Sequence, residues 1–312
     1  MIIRENVPIY SICWINHVEG GMIGTFYEPE NKEELADLCR NLYKEDRKFD
    51  LIGYTSNIYF LPNYNADIIV STRKVRDYKV YDRYIVADCG VNVRNLSRVM
   101  IDSGIKGFEG LVDLPGTVGA SVYGNASCYG CSINSLLESF ELLKPNGEIE
   151  VLKPSHLSMS RRSTTLKRGE LNGVILSVRL RKILGNVDLL QSIATKNHRK
   201  RKNTQPSPND NLGSIYSVTK GWSVKSILPR FLANCYCILL LIFGKKRSEL
   251  KRYKLDFILT LLGAKELKPY VYGWNRYIWR DKRAHELFWK FHQIHRQMFK
   301  KSEFEIEIKG KQ

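Results

Sequence analysis

The chain has 312 residues and a net charge of +17, from 49 Lys and Arg against 32 Asp and Glu. A hydrophobic share of 43% is enough to build packed cores and excludes a disordered protein, while seven scattered cysteines exclude a disulfide framework and fit a reducing cytoplasm. From Arg181 onward there are 28 bases and 10 acids, so the whole positive excess lies in that part and suits an anionic partner.

The opening residues MIIRENVPIYS lack the apolar stretch of a signal peptide. Asn31 and Glu34 form a capping box ahead of Leu35, Leu38 and Leu42, which share one helix face. Short strands are expected at Leu51–Ile52, Ile58–Phe60, Ile68–Val70 and Tyr84–Ala87. A helix follows from about Asn92, ended by Gly104. Residues 140–152 read as a hairpin around Pro145-Asn146-Gly147, and Val174–Leu180 as a further strand. A basic helix is expected over 188–202, with a lobe boundary at Arg181–Asp188. Phe231–Phe243 is almost wholly apolar and too short for a comfortable membrane span. A buried helix is the preferred reading. Contact with an anionic bilayer is the alternative, because Lys245, Lys246, Arg247, Lys251, Arg252 and Lys254 follow at once. His285, His292 and His295 read as surface histidines on a half-buried helix.

Two segments carry chemistry. Gly53-Tyr54-Thr55-Ser56-Asn57 lies between two strands, and a longer segment runs from Gly107 to Gly130 through Pro115-Gly116-Thr117-Val118-Gly119. A diphosphate needs several backbone N–H donors aimed into one concavity, and glycines allow that approach. Pro115 fixes a turn, Gly116 and Gly119 open the backbone, and Ser56, Asn57, Thr117 and Asn125 offer neutral hydrogen bonds. Neither segment has the strand–GxGxxG–helix form of a Rossmann domain. Cys128-Tyr-Gly-Cys131 lies inside the second segment with no second pair, so zinc is not expected, and a redox pair remains as an alternative. The run His198-Arg199-Lys200-Arg201-Lys202 has no nucleic-acid module beside it, so nucleic acid is not an expected partner.

The long segment resembles G-x-E-x-x-x-G-I-P-G-T-V-G-G-A-x-x-x-N-A-G-A-Y-G of the UDP-N-acetylenolpyruvoylglucosamine reductases, which belong to the FAD-binding superfamily of vanillyl-alcohol oxidase and p-cresol methylhydroxylase. The first loop resembles their G-G-G-S-N. Arg161–Lys167 resembles Y-R-x-S-x-F-K, Gln205-Pro206 through Gly213–Tyr216 resembles Q-P…G-S-x-F, and Phe304–Ile308 resembles L-E-x-E-V. The resemblance covers about residues 7–220 and 270–310, in order.

It implies an α+β fold of the p-cresol-methylhydroxylase type. Two α/β FAD-binding subdomains (1–75 and 76–185) would precede a C-terminal α+β substrate lobe (186–312) with a divergent insert at 221–270. It implies FAD held by Gly53, Tyr54, Thr55, Ser56, Asn57, Pro115, Gly116, Thr117, Gly119, Asn125, Tyr129, Gly130 and Ile175, with NADPH as hydride donor. The implied reaction reduces an enolpyruvyl ether on a UDP-sugar in cell-wall or surface-polysaccharide synthesis. In it Ser214 donates a proton, Arg162 holds the carboxylate, Glu307 completes the acid–base set and Lys202 contacts substrate. Tyr54, Thr55, Ala120 and Ser127 replace small motif residues, Arg161 replaces the motif tyrosine, and Thr204 stands where many relatives have lysine. These departures, with the 221–270 insert, bear more on the substrate than on the flavin. Two alternatives stay open: an FAD oxidoreductase acting on another, lipid-linked glycan intermediate, and a non-catalytic basic binding protein that keeps the fold. The expected location is the cytoplasm, with the inner face of a membrane as an added contact.

Overall fold

The structure, a computed structural model, describes residues 1–15 and 17–310. The chain opens with β1 (Ile2–Pro8) and β2 (Met22–Glu28), then helix α1 (Lys32–Lys44), then β3 (Asp50–Ile52), β4 (Ile58–Phe60) and β5 (Ala66–Ser71). These make a four-stranded sheet in the order β1-β2-β5-β3, in which β2 and β3 both run parallel to β5. Helix α1 starts where the sequence places it. Asn31 Oδ1 accepts from Glu34 N at 2.8 Å, and Glu34 reaches back to the amide of Glu30 at 2.9 Å.

Next come β6 (Tyr78–Val80), β7 (Tyr84–Asp88), α2 (Val93–Asp102) and α3 (Val118–Tyr123). The small hairpin of β8 (Ser127–Cys128) and β9 (Cys131–Ser132) leads through α4 (Ile133–Leu136) into β10 (Leu137–Leu143), β11 (Ile149–Leu152) and β12 (Val174–Arg181). A five-stranded antiparallel sheet results, in the order β11-β10-β12-β7-β6. The hairpin read at residues 140–152 is the β10–β11 pair, with Leu143 opposite Ile149.

The C-terminal part contains α5 (Val187–Thr204), β13 (Tyr216–Trp222), α6 (Ile227–Ile242), α7 (Arg247–Leu261), the short pair β14 (Val271–Gly273) and β15 (Arg276–Tyr277), α8 (Lys282–Met298), β16 (Phe299–Phe304) and β17 (Glu307–Lys309). The last strand returns to the beginning of the chain and pairs in parallel with β4, Glu307 opposite Ile58.

The first sheet divides the interior in two. Successive strand residues point to opposite faces. Ile68 and Val70 of β5 join α1, α2 and the antiparallel sheet in one core, while Ile69 joins a second core formed with α7, α8 and the residues around Trp279. The second core thus draws on residues from Val7 to Ile69 and from Leu212 to Ile306. Tyr59, Tyr277, Trp279, Phe288 and Phe291 are all fully buried in it, and the Tyr59 and Trp279 rings are 4.3 Å apart. Each such side chain contributes about 1.5–3 kcal/mol by burial.

Two expectations are corrected here. Helix α6 is not buried: only Ala233 and Cys237 of it are, and most of its apolar side chains face outward. The buried surface of that region comes instead from α7, through Leu255, Ile258 and Leu259. His295 is not a surface histidine. It has no exposed area, stacks on Tyr216 with 3.8 Å between ring centroids, and meets the Ser302 hydroxyl through Nδ1 at 2.8 Å. His292 is half-buried, with Nδ1 3.0 Å from the Tyr216 hydroxyl. The aromatic turn of α8 therefore faces the core.

Burial, then the nearby His292, pushes the His295 pKa down to about 3. The folded state holds this ring neutral, whereas the unfolded chain protonates it near its ordinary value. Between those two values the unfolded state binds more protons, so stability falls as the pH is lowered. Acidification from about pH 6.5 to 4.5 should cost about 2 kcal/mol through this group. The slope of Tm against pH over that range should flatten in His295→Phe. An unchanged slope contradicts the assignment.

Candidate functional site

The first glycine-containing loop, Gly53–Asn57, is held from three sides. The Arg73 guanidinium donates through Nε to the Gly53 carbonyl at 2.9 Å and through Nη2 to the Ile12 carbonyl. Thr55 takes a left-handed backbone, φ 55°, which costs a β-branched residue roughly 1–2 kcal/mol. Its buried hydroxyl offsets this by accepting from Trp14 N at 2.8 Å and donating to the Tyr54 carbonyl at 2.7 Å. A threonine thus stands where the related motif has glycine, without opening the loop. Asn57 binds the returning C-terminal segment: its Nδ2 donates to the Glu305 carbonyl at 3.1 Å, and its own carbonyl accepts from Glu307 N at 2.8 Å.

The second loop, Leu114–Thr117, meets the first directly, with Ser56 Oγ donating to the Pro115 carbonyl at 3.2 Å. Thr117 caps α3 by accepting from Ala120 N. Gly116 sits at φ 133°, where L side chains are strained, and a Cβ there would have only Ser56 Oγ nearby, at 3.6 Å. Gly119 differs from its expected role. A Cβ on it would lie 2.8 Å from Cys89 Cβ and 3.1 Å from the Cys89 carbonyl, so its bareness serves the close packing of α3 on the chain after β7. The Ser56, Asn57 and Asn125 side chains hydrogen-bond to the protein, Asn125 donating to the Ser160 carbonyl at 2.7 Å.

Between the loops, β12 and the C-terminal segment lies a cavity of about 1040 Å³. Gly53, Tyr54, Thr55, Ser56, Asn57, Pro115, Gly116, Thr117, Gly119 and Ile175 line it, as do Arg162, Ser214 and Glu307. Asn125, Tyr129, Gly130 and Lys202 are not among its lining residues. Tyr129 and Gly130 form the two-residue turn between Cys128 and Cys131, both at positive φ as a tight hairpin requires. Lys202 is exposed, and Arg201, one residue earlier on α5, lines the cavity in its place.

Arg162 stands at the tip of a tight turn closed by Ser160 and Ser163, at φ 58°. Its Nε pairs with Glu305 Oε1 at 3.1 Å and its Nη2 donates to the Ser127 carbonyl at 2.8 Å. Among the described residues two of its five N–H donors are used in this way, which leaves the others to meet an anion. Burial raises the Glu305 carboxyl above its ordinary pKa, outweighing the Arg162 charge that opposes it. Lys167 approaches Glu307 at 3.8 Å, and Lys309 pairs with Asp50 at 2.5 Å; all four residues line the cavity. Ser214, after the left-handed Gly213, has no side-chain hydrogen bond to protein among the described residues. Glu305, Lys309 and Arg73 were not singled out from sequence, and Arg201 was named only as part of the basic run 198–202. Glu305 had one usable signal, since in an extended segment it shares a face with Glu307.

A dinucleotide fits this arrangement. Ordinary small-molecule sites measure roughly 300–1,000 Å³. This cavity stands just above that range, lies between two glycine-containing loops, and has Arg162, Lys167 and Arg201 among its lining residues. Residues 25–153 match the family model described as FAD binding domain. The fold and site together define a flavin-binding protein.

The chain is 26% identical over 203 residues to the UDP-N-acetylenolpyruvoylglucosamine reductase of Exiguobacterium sibiricum, covering 65% of this chain and 66% of that one. It is 27% identical over 219 residues to the reductase of that name from Streptococcus pneumoniae, covering 70% and 71%. The chain spans about two thirds of the length of the curated relatives it matches. A crystal structure of UDP-N-acetylenolpyruvylglucosamine reductase from Thermus caldophilus superposes with a TM-score of 0.66 at 16% identity, covering 99% of this chain and 100% of that one. Over about two thirds of its length the chain is similar to UDP-N-acetylenolpyruvoylglucosamine reductases, and it shares the α+β fold of such an enzyme with an FAD binding domain within it.

Gly116 offers a direct check on the cradle. Gly116→Val places a side chain in the cavity and forces an L residue to φ 133°, a strain of about 1–3 kcal/mol. FAD affinity should drop roughly tenfold to a hundredfold or more, read by fluorescence titration of the apoprotein. Wild-type affinity in that variant contradicts the placement.

Proposed function

We propose that the protein is an FAD-dependent, NADPH-consuming reductase of an enolpyruvyl UDP-sugar, or of a closely related nucleotide sugar, acting in the cytoplasm in cell-wall or surface-polysaccharide synthesis. The loops Gly53–Asn57 and Leu114–Thr117 would hold FAD, which would supply the redox chemistry for reducing the enolpyruvyl ether at the expense of NADPH. The observation that carries the reading is that Arg162, Ser214 and Glu307 all line one cavity, although they come from three distant parts of the chain.

Arg162 binds the substrate carboxylate and stabilises the charge that develops there, for which a guanidinium fork is suited. Glu305 positions Arg162 through the 3.1 Å ion pair. Ser214 Oγ delivers the proton to the α-carbon, and its oxyanion needs nearby positive charge. Glu307, with Lys167 at 3.8 Å, completes the acid–base set. Arg201 takes the substrate-side place first assigned to Lys202, and its charge suits a diphosphate.

A lipid-linked glycan intermediate is the second reading, favoured by the outward-facing apolar helix α6. Anaerobic stopped-flow with NADPH and NADH tests the first half of the reaction. Rapid bleaching of the flavin by NADPH supports the reading, and failure of both nucleotides to reduce it overturns the donor assignment.

A further inference from the structure

Helix α6 presents an apolar stripe to solvent. Leu228, Phe231, Cys235, Ile238 and Ile242 recur at alternating three- and four-residue steps, which lines them along one face, and Ile227, Leu232, Leu239 and Phe243 widen it. Phe231 is 61% exposed, Ile242 72% and Phe243 80%. A patch of this kind marks an interaction surface rather than an ordinary scatter of apolar residues.

The chain segment that carries it has charge of one sign. No acidic residue occurs between Asp210 and Glu249, while Lys220, Lys225, Arg230, Lys245, Lys246 and Arg247 do. The bases gather at the two ends of the stripe. Past its C-terminal end come Lys245, Lys246 and Arg247, all exposed. At its N-terminal end an open cavity of about 590 Å³ is lined by Lys225, Arg296 and Lys300, with Ser223, Gln293 and Gln297 between them. None of these three bases has an ion-pair partner among the described residues. Beside it, partly exposed Trp222 stacks on Phe299 at 4.5 Å and carries the Arg230 guanidinium over its ring at 4.1 Å.

We propose that α6 and its basic flanks dock the protein onto an anionic phospholipid bilayer, the apolar stripe entering the acyl boundary and the Lys225–Arg296–Lys300 cavity seating a lipid phosphate. An interfacial helix of this design joins apolar burial to attraction for anionic headgroups, and tryptophan favours that depth. By length and composition the stretch Val224–Ile242 is able to cross a membrane. Its packing opposes that: Tyr236 stacks on Phe257 of α7 at 4.4 Å, Lys254 donates to Asn234 at 2.6 Å, and α7 is itself anchored in the second core. At about 1.5 Å per residue, moreover, α6 is shorter than the hydrocarbon layer. A second copy of the chain is a poorer occupant, because a two-fold contact sets a patch against itself and here confronts like charges without acids to pair them. The proposal rests on this surface and not on the reaction, so the two stand or fall separately.

The test is flotation of the full chain, loaded with FAD, with vesicles of phosphatidylcholine alone or mixed with phosphatidylglycerol. Binding should appear with the anionic vesicles and weaken with salt. It should fall roughly tenfold or more in Phe231→Ser/Ile238→Ser and in Lys225→Glu/Lys300→Glu, with flavin absorbance and far-UV circular dichroism unchanged. Absence of binding to anionic vesicles, or equal binding to neutral ones, overturns the proposal. A wild-type dimer that Phe231→Ser/Ile238→Ser disperses, without vesicle binding, assigns the surface to a second copy instead. Release of bound vesicles by millimolar inorganic phosphate, at an ionic strength matched with chloride, assigns the basic cavity to a free anion and overturns the headgroup assignment.

Discussion

Replacing Ser214 by alanine should slow reoxidation of the reduced flavin by the enolpyruvyl substrate by about 10²–10⁴-fold while leaving reduction by NADPH within a few-fold of wild type. The asymmetry follows from where the proton is needed. Hydride transfer to the β-carbon leaves charge on the α-carbon and its carboxylate, and only this half of the cycle requires a donor. Ser214 lines the cavity with Arg162 and Glu307, and its hydroxyl has no hydrogen bond to protein among the described residues. The variant removes one oxygen from a half-buried position, so the fold should be indifferent to it. The two half-reactions are measured separately under anaerobic conditions. Equal slowing of both halves removes Ser214 from the donor role.

Trp279→Ala should destabilise the protein by about 3–5 kcal/mol, the usual cost of emptying a large aromatic site in a closed core. Trp279 is fully buried and touches rings from both ends of the chain, Tyr59 at 4.3 Å and Phe288 at 4.7 Å. Tyr59 lies on β4, which β17 joins, and β17 carries Glu307 beside the cavity. Loosening the second core should therefore disturb the cavity lining at Glu307 as well as the C-terminal packing. Chemical denaturation should show a lower midpoint, and the FAD Kd should rise in the same variant. Unaltered FAD binding at a lowered midpoint contradicts the coupling through β4 and β17.

Local signals in the sequence carried well into the structure. The Asn31 cap, the helix after Asn92 with Gly104 beyond its end, the hairpin at 140–152 and the basic helix before residue 205 all depend on neighbours within a few residues. The two loops of the cradle were legible for the same reason, and resemblance to a family pointed to Arg162, Ser214 and Glu307, which line the cavity beside them. Features that depend on long-range packing were not. The apolar composition of Phe231–Phe243 is compatible with a buried helix or an exposed one, and only the docking of α7 into the core decides against burial. His295 looked like a surface histidine because nothing in α8 reveals that Tyr216 stacks against it. Lys202 and Arg201 differ by one step of about 100° around a helix, and sequence motifs do not fix that rotation. Glu305 acquires its place from Arg162, which lies far away in the chain.

The central claim is a flavin-dependent reduction of an enolpyruvyl nucleotide sugar in the cavity between the two loops and β17. The most direct measurement is the anaerobic spectrum of the FAD-loaded protein, first reduced by NADPH and then mixed with UDP-N-acetylglucosamine enolpyruvate. The expected result is recovery of the oxidised flavin spectrum with the reduced sugar nucleotide as product, and no recovery with UDP-N-acetylglucosamine. Flavin that stays reduced in the presence of the enolpyruvyl compound contradicts the claim.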